Sequence, residues 1–164
     1  MKFAKLPGPT IKFTAALMLS ALCGVVGAHA QTGFFSFDVP GASFTSPHEI
    51  NAAGTVVGEY FISGTATHGF LRASNGQITT FDAPGAISTQ PVSINDQGQI
   101  VGNLVNSGVH LVFHGFMRAK SANFTKVDAP GFENTLPQWI SNSGLIVGYA
   151  YNQNDSRQAF LRDA

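Results

Sequence analysis

The strongest constraint in this chain is a pentapeptide that occurs three times in slightly different forms. It reads FDVPG from Phe37, FDAPG from Phe81 and VDAPG from Val127. Successive copies are 44 and 46 residues apart, and the same offsets connect further motifs that follow each copy. Repetition at a spacing of this size indicates an array of similar supersecondary units rather than one irregular domain.

The units share a series of residues in the same order. An Asp-x-Pro-Gly turn is followed by an isoleucine, a Val-Gly pair and a phenylalanine two residues before an arginine. The repeated positions include Asp38, Asp82 and Asp128; Gly58, Gly102 and Gly148; and Phe70, Phe116 and Phe160. Because shared positions serve what the units have in common, we predict structural roles for them. The aspartates are expected to cap turns, and the glycines to mark bulges or close backbone approaches.

Within a unit, the local pattern predicts four short β-strands joined by turns. In the first unit these strands cover residues 47–51, 55–61, 68–73 and 77–82. Asn75-Gly76 is a two-residue hairpin signal, and the register that it implies places Phe70 opposite Phe81. Helices have little support, because glycine or proline interrupts every stretch with helical spacing.

We therefore predict an all-β chain of three four-stranded repeats of the propeller-blade type. A single domain over residues 31–164 contains units of about 34–80, 81–126 and 127–164. The strand at Phe37 would be a fourth strand and that at Phe160 a third, so we expect the two to pair. Propellers usually have about four to eight blades. Three units leave open a six-bladed ring made by a homodimer, a β-trefoil or β-prism with threefold pseudo-symmetry, and a truncated member of a longer family.

The first thirty residues have the order of a secretory signal peptide. Three lysines precede an apolar run over residues 13–27, and Ala28-His29-Ala30 supplies a cleavage site. The run is too short and wrongly flanked for a membrane span. We predict removal of residues 1–30 and a secreted, periplasmic or extracellular location. Cys23 would be lost with the signal, which leaves a mature chain without cysteine.

Charge and motifs exclude several classes of function. Without the signal, six basic residues face nine acidic ones, so the net charge is −3. A mildly acidic domain lacks the basic footprint of a nucleic-acid-binding protein, and no membrane span remains after the signal is removed. No cofactor or catalytic fingerprint occurs. His68 and His114 have Gln158 in the third unit, so we predict hydrogen-bonded histidines rather than a metal site.

Functional side chains are expected where the units differ. Glu59, Trp139 and Tyr149 occupy such positions, and aromatic and polar groups together would suit a sugar ligand. The alternative is ordinary strand packing, since Trp and Tyr are mostly buried. A carbohydrate-active propeller enzyme would need two carboxylates about 5–10 Å apart across a cleft. Glu49, Glu59 and Glu133 are the non-repeated candidates.

The pattern IN-x-x-G-x-x-VG followed by HGFLR, at Ile50 to Gly58 and His68 to Arg72, resembles the HAF repeats of bacterial extracellular proteins. The resemblance covers roughly residues 34–164, with Gln158 replacing the histidine in the third copy. It implies a secreted, propeller-like repeat protein and no known activity. The expected function is a non-enzymatic binding or interaction module, with a glycan, a protein or a second copy of the chain as partner. The alternatives are a carbohydrate-binding lectin and a carbohydrate-active enzyme.

Overall fold

The computed structural model describes residues 33–64, 66–106, 111–154 and 156–163. These residues form eleven β-strands and no helix, so the all-β prediction is confirmed. The strands belong to one compact unit that begins at Ser36. The predicted signal peptide over residues 1–30, with Cys23, lies outside the described residues. The strands are β1 (Phe44–Ile50), β2 (Val56–Phe61), β3 (Thr67–Arg72), β4 (Ile78–Phe81), β5 (Ala86–Ile94), β6 (Ile100–Asn106), β7 (Phe113–Arg118), β8 (Phe124–Lys126), β9 (Asn134–Ile140), β10 (Ile146–Tyr151) and β11 (Gln158–Arg162).

The strands form three separate antiparallel sheets, one for each repeat. The first and second sheets have four strands in the orders β1-β2-β3-β4 and β5-β6-β7-β8, and the third has the order β11-β10-β9. Every neighbour in a sheet is also a neighbour in sequence. Four strands are thus confirmed for two repeats, whereas the described part of the third has three. Over these residues the sheets close into neither a barrel nor a ring.

The sheets stack face to face, with the second sheet between the other two. Val57 and Leu71 of the first sheet pack against Ile94, Ile100 and Phe116 of the second. On the other face of the second sheet, Val101 and Met117 pack with Ile140, Ile146 and Phe160 of the third. Adjacent residues of a strand point to opposite faces, so β6 supplies both layers through Ile100 and Val101. The core is therefore a set of inter-sheet layers, and it repeats with the sequence.

A glycine in the second strand of each sheet allows close packing within that sheet. A Cβ added to Gly58, Gly102 or Gly148 would overlap a backbone carbonyl oxygen of the neighbouring strand. It would also lie 2.8–2.9 Å from the ring of Phe70, Phe116 or Phe160 respectively. These glycines mark a close backbone approach, one of the two meanings of glycine inside a strand. The phenylalanine ring takes the space that a side chain would occupy.

We expect Gly102→Ala to lower the free energy of unfolding by about 3 kcal/mol or more, because the new methyl group has no space against Gln90 and Phe116. Denaturant unfolding measures the change. Gly33→Ala is the control, since nothing lies within 4 Å of its added Cβ, and it should change stability by less than about 0.5 kcal/mol. Equal, small effects for both variants would show that the close approach does not limit packing.

The predicted register of the third and fourth strands is wrong by one residue. Gly69, not Phe70, lies opposite Phe81. The cause is the hairpin loop, which has three residues rather than two: the Ala73 N–H donates to Gln77 O, and Gly76 has a φ of 91°. A type I turn followed by a left-handed residue adds one position to the loop. The slip brings the Phe81 ring over the glycine.

The equivalent loop of the second sheet contains a strained residue. Ala122 corresponds to Gly76 and has a φ of 69°, the one positive φ of a non-glycine residue in the described chain. The loop closes in the same way, with the Ala122 N–H donating to Ala119 O. A side chain in the left-handed region costs roughly 1–2 kcal/mol, because Cβ crowds the carbonyl oxygen.

We expect Ala122→Gly to stabilise the protein by roughly 0.5–1 kcal/mol, since relief of this strain exceeds the entropy cost of glycine. Gly76→Ala should destabilise it by a similar amount. Thermal or denaturant unfolding of the two variants gives the comparison. A destabilised Ala122→Gly protein would contradict the strained-loop interpretation.

The N-terminal segment does not form the predicted strand pair within the chain. Residues 34–38 are in no strand, and Phe37 packs edge-on against Phe70 with 6.0 Å between ring centroids. Phe160 lies in the layer between the second and third sheets. The prediction that the Phe37 and Phe160 strands share a sheet is therefore wrong for the single chain. The physical reason is that the first and second sheets lie between the two residues.

Phe37 instead makes the contact that Phe81 makes one repeat later. The Arg72 guanidinium lies 4.9 Å from the Phe37 ring centroid, and the Arg118 guanidinium lies 4.7 Å from that of Phe81. In both cases the phenylalanine before an Asp-x-Pro-Gly turn packs on the sheet that begins after that turn. Phe37 packs on the first sheet and Phe81 on the second. The pentapeptide is thus a joint between consecutive repeats.

Candidate functional site

The first strands of the three sheets, β1, β5 and β9, approach one another through a bulge in each. The extra residue follows a proline: His48 in β1, Val92 in β5 and Gln138 in β9. A bulge bends a strand and redirects the side chains next to it. Here the redirected side chains are those of Glu49, Ser93 and Trp139, which occupy the same position in the three repeats.

These three side chains connect the sheets by hydrogen bonds. The Glu49 carboxylate accepts from the Ile94 N–H at 2.6 Å, and Ser93 Oγ accepts from the Ile140 N–H at 3.2 Å. The Trp139 indole Nε1 donates to Glu49 Oε1 at 3.0 Å, so the third sheet contacts the first. The three first strands therefore converge, although the second sheet lies between the other two elsewhere.

The hairpin turns beside these strands form a second set of bonds across the sheets. Asn51 Nδ2 donates to Asn95 O at 3.1 Å, and Asn95 Nδ2 donates to Ser141 O at 3.0 Å. Asp96 accepts from the Ala52 N–H at 2.8 Å and from Asn142 Nδ2 at 2.7 Å. Each turn is thereby held against the next.

Together these residues line a groove of about 390 Å³, which we call the first-strand groove. Its volume lies in the range of small-ligand pockets, about 300–1,000 Å³. The Trp139 residue is 57% exposed, although Glu49 fixes its indole N–H. Carboxylate and amide side chains line the same groove. The lining residues are Glu49, Ile50, Asn51, Ala52, Ile94, Asn95, Asp96, Trp139, Ile140, Ser141 and Asn142.

Of the predicted ligand-surface residues, only Trp139 lines this groove. Glu59 lies on β2, where its carboxylate is 3.9 Å from His48 Nε2. Tyr149 lies on β10 and stacks with Tyr151, with the Arg157 guanidinium 5.0 Å from its ring centroid. The prediction that Glu59 and Tyr149 share one ligand surface with Trp139 is not met by the lining of this groove.

Asp96 and Asn142 were not predicted from the sequence to line a site, and Glu49 was predicted only as a possible catalytic acid. Asp96 and Asn142 sit in turns and contact each other across two repeats, 46 residues apart. The difference between the repeats at these positions marks them as candidates for a site. That difference could not show that the two side chains touch, since the sequence pattern gives the order of strands and not the distance between turns.

Two of the three repeated aspartates, Asp82 and Asp128, bond histidines rather than their own turns. His68 Nδ1 lies 3.0 Å from the Asp82 carboxylate, and His114 Nδ1 lies 2.8 Å from that of Asp128. The turn N–H groups are bonded instead by threonine hydroxyls: the Ala83 N–H donates to Thr89 Oγ1 at 2.9 Å. Thr45 and Thr135 do the same for the other repeats. The prediction that Asp82 and Asp128 cap their own turns is therefore wrong. Threonine hydroxyls accept the hydrogen bonds of the turn N–H groups in their place.

Asp128 is the most strongly held of these aspartates. Burial raises its pKa, but hydrogen bonds from Lys126 Nζ at 2.7 Å, His114 at 2.8 Å and the Gly115 N–H at 3.1 Å more than offset this. Its pKa therefore lies below the ordinary value for an aspartate. A carboxyl group with a depressed folded pKa stabilises the fold above its unfolded pKa, and loses that contribution as the pH falls through the folded value.

We expect Asp128→Asn to lower the free energy of unfolding by roughly 1 kcal/mol at pH 7. The difference from the parent protein should shrink as the pH falls below about 4, the ordinary pKa of an aspartate in the unfolded chain, towards the lower pKa of the folded state. Denaturant unfolding between acid and neutral pH measures it. Asp82→Asn is the matched control with a more exposed carboxylate, and its effect should be smaller. A loss for Asp128→Asn that is the same at every pH would contradict this role.

The acidic residues proposed for an enzyme do not meet in one cleft. Glu49 lines the first-strand groove, Glu59 pairs with His48, and the Glu133 N–H donates to Asn152 Oδ1 in a loop at the other end of β9. Among the described residues, no group of three or more His, Cys, Asp or Glu side chains could hold a metal ion. The same part of the chain contains no helix long and apolar enough to cross a membrane.

No family model, curated protein or solved structure matches this chain in the comparisons made.

Proposed function

We propose that this chain is an exported, non-enzymatic repeat protein that binds a neutral saccharide in the first-strand groove. The observation that carries the proposal is Trp139, which is held by Glu49 and yet more than half exposed within a concave surface that also carries polar groups. A large aromatic ring normally gains free energy by burial. A ring that is fixed and exposed is ready to stack on a flat, partly apolar ligand.

The polar groups of the groove indicate the class of ligand. Glu49, Asp96 and Asn142 offer carboxylate and amide groups around Trp139. Such groups bond hydroxyls, and the C–H face of a sugar ring packs on an indole. The two carboxylates repel anionic ligands, which favours a neutral saccharide over a charged one.

A non-enzymatic role fits the carboxylates better than hydrolysis. Glu49 accepts hydrogen bonds from Trp139 and the Ile94 N–H, and Asp96 accepts from Asn142 and the Ala52 N–H. Each of the four oxygens already has a protein donor. Glycosidases instead place two carboxyl groups on either side of the bond to be cleaved. The engaged carboxylates support recognition rather than general acid catalysis.

The sheet arrangement supports a propeller-type stack, as in the HAF repeats that the sequence resembles. The second sheet is covered on both faces by other sheets. In a β-trefoil or β-prism, each repeat would turn one face towards a common centre. The first strands converge at the groove, as blades do around an axis. The basic, apolar and Ala-x-Ala order of residues 1–30 supports export.

Tryptophan fluorescence tests the ligand directly, because Trp139 is the one tryptophan of the chain. We expect neutral mono- or oligosaccharides selected on a glycan array to change its emission in a saturable titration. Trp139→Ala should weaken binding about tenfold or more, a loss of at least roughly 1.4 kcal/mol. Calorimetry measures the affinity of the variant, which lacks the fluorophore.

Phe44→Ala is the matched control, since Phe44 is 58% exposed and lies at the other end of β1. That end is about 20 Å from the groove along the strand. The control should bind as the parent protein does. If no saccharide on the array binds, or if Trp139→Ala and Phe44→Ala bind equally well, the proposal is wrong.

A further inference from the structure

Each end of the stack leaves a face of a sheet that no other sheet covers. We define the forward face of a sheet as the one that packs on the next sheet, and the receiving face as the one that packs on the sheet before. On the forward faces, Leu71 and Met117 pack in the inter-sheet layers, whereas the equivalent Leu161 of the third sheet is 65% exposed. Val147 is also exposed, although Val57 and Val101 are fully buried.

The first sheet has the complementary face, which no other sheet covers, although Phe37 and Val39 of the N-terminal segment pack on it at Phe70. Ile50 corresponds to Ile94 and Ile140, which are almost fully buried on the receiving faces of the second and third sheets. Ile50 itself is 62% exposed. Within the chain, a forward face packs on a receiving face twice. The third sheet at one end of the stack has a further forward face, and the first sheet at the other end has a further receiving face.

We propose that the forward face of the third sheet packs on the receiving face of the first sheet of a second copy, so that two copies form a closed ring of six sheets. A contact between two different surfaces either closes into a ring or continues as a filament. The bond from Trp139 to Glu49 brings the third sheet back to the first. That curvature favours closure.

Among the described residues the third sheet has three strands, and in the proposed dimer the second copy supplies a fourth. In the first two sheets, β4 and β8 pair with the outer edge of β3 and β7. The described residues provide no such partner for β11. Residues 34–37 are the sequence equivalents of β4 and form no strand within their own chain. An open strand edge is a template for pairing with another chain.

Phe37 is already placed for this pairing. Phe81 is the last residue of β4 and pairs with Gly69 in the first sheet. Its ring packs against the Arg118 guanidinium of the second sheet. The Phe37 ring lies beneath Arg72 in the same way. Phe37 therefore makes the ring contact with the arginine within its own chain. The strand pairing that Phe81 makes with β3 would be made by Phe37 with β11 of the second copy.

The polar groups at the junction also match. Asp82 and Asp128 bond His68 and His114 of the preceding repeat. Asp38 is the equivalent aspartate, and no side chain in the described part of the chain bonds it. Gln158 of a second copy would stand where the histidine stands, and its amide can donate to the Asp38 carboxylate.

One substitution makes this junction looser than the internal ones. Ala159 stands where the first two sheets have Gly69 and Gly115. A Cβ added to Gly69 would lie 2.8 Å from the Phe81 ring and from Pro91, closer than real Cβ contacts allow. The second copy must therefore sit slightly further out at Ala159, so Ala159→Gly is expected to tighten the dimer.

Sedimentation velocity of the purified chain over a range of concentrations tests the proposal. We expect a species of twice the monomer mass. Leu161→Asp and Ile50→Asp should each give a folded monomer, because both side chains are exposed within one chain and buried only in the dimer. Leu111→Asp is the matched control, since Leu111 is 66% exposed but lies on neither face. It should remain a dimer.

A mixture of the two monomeric variants separates this contact from others. One copy of each variant retains one intact junction, so Leu161→Asp and Ile50→Asp together should form a one-to-one complex. If the two copies met instead through identical faces, one of the variants would still dimerise alone. A parent chain that stays monomeric, or a mixture that does not associate, would overturn the proposal. If Ala159→Gly left the dimer unchanged or weakened it, the proposed pairing of residues 34–37 with β11 of the second copy would be wrong.

Discussion

Each sheet depends on the absence of a side chain at one position in its second strand. Gly58, Gly102 and Gly148 let the first and second strands approach so closely that a Cβ has no space. The ring of Phe70, Phe116 or Phe160 covers the gap. Phe116 and Phe160 lie in the inter-sheet layers, and Phe70 packs against the N-terminal segment at Phe37 and Val39. Because the glycine and the phenylalanine recur together, each sheet presents the same receiving face. The repeat in the sequence is thus a repeat of one packing contact.

That regularity allows the first strands to differ. The bulges put Glu49, Ser93 and Trp139 at one place, where they bond to neighbouring sheets or to one another. A polar side chain that bonds a backbone N–H can be exchanged for another without altering the layers behind it. The scaffold is therefore repetitive in its core and variable along one edge, as is common where a rigid frame carries binding residues.

The sequence predicted the features that depend on spacing. Strand content and the order of strands follow from the repeat, and its exceptions indicated Trp139 as one candidate for a ligand surface. The register of Phe81 did not, since Asn75-Gly76 suits a two-residue turn equally well and a single extra residue moves every pair. Glu49 and Asp96 were not recognised as groove residues because they meet partners in other repeats. Contacts between sheets depend on how the sheets stack, which no local pattern contains.

The most direct test of a single repeated junction is amide hydrogen exchange, compared between β7 and β11 at a concentration where the chain is assembled. The outer edge of β7 is bonded to β8, whereas β11 has no such partner among the described residues. If the forward end of one copy meets the receiving end of another, β11 should be protected to nearly the same degree as β7. If β11 exchanges as fast as an open edge strand while β7 stays protected, the third sheet of one copy does not pack on the first sheet of another.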